Sequence, residues 1–136
     1  MAVKNFWSLN VDEALVADKL QKELKNWGFE VFFPLRSQLK DVDLVLTNLK
    51  SKKCYTIQVK GTRTYNPQKR EVIRFGEGQG GWIQIKKRCI FDNSNPIDFF
   101  IFIIHLELQG KIKREIELHY IILPIKEFRE ILLKHH

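Results

Sequence analysis

The feature that most constrains the fold is an uninterrupted apolar run over residues 99–104, Phe-Phe-Ile-Phe-Ile-Ile. Because the run is short and rich in aromatic and β-branched residues, it indicates a strand buried inside a sheet. A helix that spans a bilayer needs about 20 apolar residues, so the sequence predicts no membrane partner. We expect this strand to cover 99–108 and a further strand to cover 117–123, with a polar turn around Gly110 between them.

The N-terminal half predicts a helix followed by three strands. Asn10 is a suitable N-cap and Gly28 a suitable stop, which together predict a helix over residues 11–27. The apolar face of this helix contains Val16, Ala17, Leu20, Leu24 and Trp27. The predicted strands cover 29–33, 42–47 and 54–60, and the polar turn between the last two is short enough for a hairpin.

Between residues 61 and 96 the pattern is weaker. Residues 72–75 have a strand-like composition, a glycine-rich stretch follows, and residues 82–91 fit either a strand or a short helix. Residues 126–133 predict a short amphipathic helix. The order of elements predicts an α/β fold: a single domain over residues 1–136, built as one mixed sheet with flanking helices.

Composition and charge indicate which partners and which cellular compartment to expect. The formal net charge is +7 and the pI is about 9.5, which favours a polyanion such as nucleic acid, although a basic protein without such a partner has the same charge. Cys54 and Cys89 are far apart with no CxxC spacing, so neither a zinc site nor a disulfide is expected. The first residues contain no apolar signal segment, and a cytoplasmic location is therefore expected.

The predicted hairpin would bring polar side chains from two strands together. Strand alternation places Gln58 and Lys60 on one face of the sheet. A hairpin that is symmetric about its turn sets Asp43 opposite Gln58 and Asp41 opposite Lys60, with the paired Cβ atoms about 5 Å apart. On the helix, Glu13 falls in the middle of the apolar face, where a carboxylate is unexpected. A slip of one residue in the register would separate these groups.

This patch contains the groups that phosphodiester hydrolysis requires. Carboxylate and carbonyl oxygens bind hard cations such as Mg²⁺, and the cation polarises a phosphoryl oxygen and lowers the pKa of a bound water. A neighbouring lysine can orient that water, help to deprotonate it and offset developing negative charge. Glu13, Asp43 and Gln58 are therefore candidate metal ligands, and Lys60 is the candidate catalytic lysine.

The segments Asp43-Leu44-Val45-Leu46 and Gln58-Val59-Lys60 resemble the motifs of the PD-(D/E)XK nuclease superfamily, which includes restriction endonucleases and Holliday-junction resolvases. The core of that superfamily is a helix, three strands, a helix and another strand, and many members have a glutamate on the first helix. The resemblance implies a restriction endonuclease-like core in this chain. It also implies that the main-chain carbonyl of Val59 joins the metal ligands.

The resemblance implies an endonuclease that hydrolyses DNA with Mg²⁺, for which Mn²⁺ can substitute. Duplex or branched DNA is the expected substrate. Because cutting both strands of a duplex usually takes two sites, a symmetric homodimer is expected.

One position departs from the pattern of the superfamily. Gln58 occupies a place where most members have glutamate. Its amide oxygen can bind a metal but brings no negative charge, so weaker metal affinity is expected. The departure keeps two alternatives open: a module with the same fold that binds nucleic acid without cutting it, and a subunit that is active only with partners.

A basic stretch follows the candidate site. Its cations suit phosphate contacts and its aromatic residues suit stacking, whereas the alternative is an ordinary solvated face. The candidate nucleic-acid-binding residues are Arg63, Tyr65, Lys69, Arg70, Arg74, Lys86, Lys87 and Arg88.

Structural explanations compete with several of these assignments. Glu13 has capping-box spacing from Asn10, Asp43 suits an exposed strand start, and Lys60 suits an ion pair with Asp41. Other features are assigned structural roles: a loop for the glycines at 76, 78 and 81, sheet positions for His105 and His119, and core positions for Trp7 and Trp82.

Overall fold

A five-stranded mixed sheet forms the centre of the protein in a computed structural model that describes residues 10–35, 41–109 and 114–135. The strands lie side by side in chain order, from β1 to β5. They are β1 (Phe29–Phe32), β2 (Leu44–Asn48), β3 (Cys54–Arg63), β4 (Phe99–Gln109) and β5 (Arg114–Pro124). The helices are α1 (Val11–Leu24), α2 (Lys69–Phe75), α3 (Lys87–Phe91) and α4 (Ile125–Lys134), and a 3₁₀ turn (Lys25–Trp27) follows α1.

Only one neighbouring pair of the described strands, β3 and β4, runs parallel. A parallel pair needs a long crossover, and here the crossover contains α2 and α3. The other pairs are antiparallel, and β2 and β3 form the predicted hairpin. The predicted α/β class, with one mixed sheet and flanking helices, is therefore confirmed.

Helix α1 covers one face of the sheet. Val16, Ala17 and Leu20 are spaced along one side of the helix and are all buried. They pack with side chains of β2, β3 and β4, which form the first core: Leu44, Leu46, Ile57, Val59, Ile101 and Ile103. Leaving apolar surface of this kind in water would cost about 25 cal/mol per Å², so this contact fixes α1 against the sheet.

The opposite face is covered by α3 and α4. Phe128 of α4 packs edge-on against Phe100 and Phe102 of β4, with ring centroids 5.2 and 5.6 Å apart. Cys89 and Ile90 of α3 are buried in the same second core, together with Val42 and Ile97. Because β4 is buried on both faces, its apolar run is continuous rather than alternating.

The structure corrects several predicted boundaries. Residues 72–75 belong to helix α2 rather than to a strand, and residues 82–86 are neither strand nor helix before α3 begins at Lys87. The α-helix predicted to end at residue 27 ends at Leu24. The strand predicted to begin at residue 42 begins at Leu44.

Two tryptophans were assigned to the interior incorrectly. The 3₁₀ turn carries Trp27 off the apolar face of α1, and its side chain is 73% exposed. Trp82 is 77% exposed rather than part of the core. Trp7, also predicted to lie in the core, falls outside the described residues.

No helix in the described part of the chain is both long enough and apolar enough to cross a membrane.

Candidate functional site

The ladder between β2 and β3 stops early, and the candidate site lies where it stops. Leu44 pairs with Ile57 at the end of the ladder, with the register that the sequence predicted. Strand β3 continues to Arg63, although β2 does not accompany it beyond Ile57. The backbone of β3 from Gln58 onward is therefore open to side chains from the segment before β2.

Asp43 occupies this opening. Its N–H donates to the carbonyl of Ile57 over 2.9 Å, and its carboxylate Oδ2 accepts the N–H of Val59 over 2.8 Å. Asp43 thus contacts the residues on both sides of Gln58. The N–H and C=O of one strand residue point toward the same neighbouring strand, so the Val59 carbonyl points toward the Asp43 side of β3.

A backbone irregularity explains why β2 starts only at Leu44. Asp41 has a φ of 70°, a conformation that side-chain-bearing residues seldom adopt. Val42 is buried in the second core and Leu44 in the first, so these two residues face opposite sides of the sheet, whereas a regular strand over residues 42–47 would place both on one face. Because alternation fails here, the Asp43 carboxylate points along the sheet toward Val59 instead of out from one face.

Among the buried side chains that the structure describes, Gln58 is the one with an oxygen that lacks a hydrogen bond. It is 5% exposed and is the only buried polar residue there. Its Oε1 has no hydrogen-bond partner in the described structure. An unpaired buried acceptor of this kind costs about 1–3 kcal/mol. Since Ile57 and Val59 belong to the first core, Gln58 and Lys60 project from the other face of β3.

Lys60 lies close enough to Cys89 on that other face to affect its thiol. Burial raises the pKa of the Cys89 thiol, a hydrogen bond to the Asp41 carboxylate raises this pKa further, and the charges of Arg88 and Lys60 lower it. Asp41 also forms an ion pair with Arg88 across 3.7 Å. The crossover helix α3 therefore brings its own cation beside the predicted lysine. In the described structure, Asp41 therefore pairs with Arg88 rather than with Lys60, the partner that the sequence suggested.

Glu13 approaches the sheet from the opposite side. It is partly buried and precedes Val16 and Ala17 by one turn of α1, on the side of the helix that faces the sheet. That side covers the face of Val59, whereas Gln58 and Lys60 project from the other face. Helix α1 is capped by Asn10, whose side chain accepts the N–H of Asp12 over 2.8 Å.

The predicted metal ligands are of different chemical types. Of the described residues, no group of three or more His, Cys, Asp and Glu side chains is arranged to hold a metal ion. The predicted ligands include only two carboxylates, with an amide and a main-chain carbonyl beside them. The buried amide oxygen of Gln58 is the atom that fits a cation best, because it is the one left without a partner.

The predicted nucleic-acid-binding residues all lie on the crossover or at the strand end before it. The basic residues are exposed and Tyr65 is partly buried. Lys69, Arg70 and Arg74 are on α2, Lys87 and Arg88 are on α3, and Lys86 caps α3. Arg63 ends β3.

The sequence interpretation missed a polar contact near the start of α1. His105 was assigned as an ordinary sheet residue, but its Nε2 lies 2.6 Å from Oδ1 of Asp12. The Asp12 carboxylate sits directly on Gly61, where a Cβ would overlap it. These residues line an open cleft of about 530 Å³ with Thr62 and Arg63. The glycine following Lys60 was the available signal, because it marks a close approach within a strand.

Comparison of the chain with protein-family models, with curated proteins and with solved structures gave no match in any of the three.

Proposed function

We propose that the protein is a metal-dependent endonuclease that hydrolyses phosphodiester bonds in DNA. The observation that carries the proposal is the buried and unpartnered Oε1 of Gln58. Gln58 precedes Val59, whose N–H donates to the Asp43 carboxylate, and lies two residues before Lys60. Leaving this oxygen unpaired costs stability. A bound cation would remove the cost, and oxygen ligands of this kind suit Mg²⁺ or Mn²⁺.

The residues of the site have separate roles in this proposal. Asp43, Gln58 and the Val59 carbonyl would hold the ion, whereas Glu13 lies on the side of the sheet away from Gln58 and is not among these ligands. When bound, the ion polarises the phosphoryl oxygen and lowers the pKa of its water. Lys60 orients the attacking water and offsets the negative charge that develops on the phosphate.

The order of elements and the charge support the proposal. A helix, three strands, a helical crossover and a further strand occur in the order of the PD-(D/E)XK core that the two motifs resemble. The crossover carries exposed cations, one of which, Arg88, pairs with Asp41, and cations of this kind bind the phosphates of DNA. Cleavage of both strands of a duplex would require a symmetric dimer.

The test measures cleavage of duplex, branched and single-stranded DNA with Mg²⁺ or Mn²⁺ by the wild type, Asp43→Asn and Lys60→Met. We expect the wild type to cut at least one DNA and each variant to lose about 100-fold or more in rate. Asp18→Asn is the matched control, because Asp18 is an exposed residue of α1 that pairs with Lys22. Absence of any metal-dependent product, or an unchanged rate in Asp43→Asn, contradicts the proposal.

The neutral side chain of Gln58 favours a second candidate function, a module that binds nucleic acid without cutting it. In that case DNA binding is strong and salt-sensitive, no metal-dependent product appears, and Gln58→Glu does not create one. If the protein is instead an enzyme with a weak metal site, Gln58→Glu adds a negative charge and lowers the Mn²⁺ concentration needed for half-maximal cutting.

A further inference from the structure

The segment over residues 69–82, called here the 69–82 platform, exposes large apolar side chains. Ile73, Phe75 and Trp82 are 78%, 77% and 77% exposed. Helix α2 contributes no buried residue to either core. Exposed single apolar residues are common on protein surfaces, but several on one short segment indicate an interaction site.

The platform is held in place by hydrogen bonds. Tyr65 and Gly80 exchange two backbone hydrogen bonds of 2.9 Å each. The Gln79 amide donates to the carbonyl of Glu107 over 2.8 Å, and the Trp82 N–H donates to Thr62 Oγ1 over 3.1 Å. A Cβ on Gly80 would come within 2.7 Å of the Tyr65 ring, so the chain needs glycine to pack this closely. The backbone of residues 79–82, which carries Trp82, is therefore fixed to β3 and β4.

Helix α2 of the platform also carries exposed cations. The Arg74 guanidinium lies 5.1 Å from the centre of the Phe75 ring. Lys69 and Arg70 are exposed on the first turn of α2. Phe75, Trp82 and Tyr65 share a cleft of about 380 Å³. A partner that complements both the cations and the rings must offer anions together with flat π surfaces, which is the chemistry of a nucleic acid with accessible bases.

The platform adjoins the candidate catalytic residues. Thr62, which accepts the Trp82 N–H, follows Lys60 by two residues on the same face of β3, a distance of about 7 Å along the strand. A strand of DNA that crossed the platform would therefore pass beside Lys60.

We propose that Phe75 and Trp82 stack on unpaired bases, so that the substrate is DNA with single-stranded nucleotides next to the cleaved bond. In a duplex the flat faces of the bases are covered by their neighbours, and only unpaired bases offer a face to a side chain. This inference rests on the proposed endonuclease function and specifies its substrate class.

Binding is tested without divalent metal, so that cleavage does not interfere. Fluorescence anisotropy with labelled DNA compares a single strand, a forked duplex with a single-stranded arm, and a blunt duplex at one salt concentration. We expect the single strand and the fork to bind at least about 10-fold more tightly than the blunt duplex. Phe75→Ala and Trp82→Ala should each weaken single-strand binding by about 5- to 100-fold, and Trp82→Phe should restore most of the loss. The matched control is Trp27→Ala, because Trp27 is 73% exposed but lies at the far end of α1.

Three outcomes would overturn this inference. They are equal affinity for the blunt duplex, unchanged single-strand binding in both alanine variants, and an altered oligomeric state of Trp82→Ala in sedimentation without loss of DNA binding. The last would identify the platform as a contact between copies of the chain. If Asp43→Asn abolishes cleavage while Trp82→Ala cuts every DNA normally, the endonuclease proposal stands and the platform proposal fails.

Discussion

At the scale of single residues, Gln58 has a buried side-chain oxygen that lowers the stability of the fold and is suited to binding a cation. Its amide is buried in a sheet of apolar side chains, and its oxygen lacks a described partner. Such positions are retained where a bound group supplies the missing contact. The sequence predicted which residue would lie beside Asp43, because the apolar pattern sets the register of a hairpin. The sequence could not predict that the oxygen is unpaired, which depends on packing from distant elements.

Replacement of Gln58 by methionine separates the stability cost of the unpaired oxygen from the proposed binding of metal. In EDTA, we expect Gln58→Met to raise the free energy of unfolding by about 1–3 kcal/mol, because the unpaired acceptor is removed. With Mn²⁺, the variant should lose the metal-induced rise in Tm that we expect of the wild type. Urea and thermal denaturation with and without Mn²⁺ measure both effects.

Gln21→Met is the matched control for this prediction. Both polar atoms of the Gln21 amide form hydrogen bonds: the nitrogen donates to the carbonyl of Phe29, and the oxygen accepts the N–H of Val31. Its replacement should lower stability in EDTA and leave the metal response intact. A Gln58→Met variant that is less stable than the wild type in EDTA would contradict the argument.

The two cysteines should differ in reactivity. Cys54 is exposed, whereas Cys89 is buried and its thiol pKa is raised by burial and by Asp41. A raised pKa means that less thiolate, the reactive form, is present at any given pH. In the native protein at pH 8, we expect a disulfide reagent such as DTNB to react with Cys54 quickly and with Cys89 only after denaturation or at higher pH. The two thiols are measured separately in the Cys54→Ser and Cys89→Ser variants, and fast reaction of the remaining thiol in both variants would contradict this.

At the scale of elements, the two helix errors have physical causes. Residues 72–75 have a β-branched and aromatic composition that favours a strand, but a reciprocal capping box between Gln68 and Glu71 starts α2. That spacing was visible in the sequence. The early end of α1 was not, because the 3₁₀ turn that exposes Trp27 is fixed by the αL conformation of Gly28 and by an Asn48 side chain that donates to the Trp27 carbonyl.

The contact between α1 and β3 predicts a strict requirement for glycine at position 61. We expect Gly61→Ala to lower the free energy of unfolding by about 1–3 kcal/mol, because the added methyl group overlaps the Asp12 carboxylate that bonds to His105. Urea denaturation measures the loss. In an Asp12→Ala background the same change should cost about 1 kcal/mol less, since the two residues are in contact. An equal cost in both backgrounds would show that Asp12 is not the obstacle.

At the scale of the whole molecule, the sheet has a covered centre, with β1 and β5 as the outermost strands. The apolar runs predicted the class of fold because each element must bury its apolar side. The pairing of Tyr65 with Gly80 could not be predicted in the same way, because residues far apart in the chain set it. Strands β3 and β4 are covered on both faces, whereas β1 and β5 lie at the edges.

Hydrogen exchange should follow this arrangement. We expect the amides of Ile101 and Ile103 to exchange most slowly, near the rate set by global unfolding, because they lie in the centre of the sheet. The amides of β1 should exchange faster through local opening. Exchange measured by NMR tests the order. Protection of β1 equal to that of β4 would indicate that the sheet opens only as a unit.

The early end of the β2–β3 ladder sets a stronger sheet against the proposed metal site. If residues before Leu44 returned to regular strand geometry, the amide of Val59 would gain a main-chain partner and the sheet would be stronger. The Asp43 carboxylate would then lose its anchor, and the gap beside Gln58 would close. Selection for thermal tolerance alone would therefore be expected to lengthen β2 and remove the proposed metal site, so a thermostable variant that keeps this site must gain its stability elsewhere.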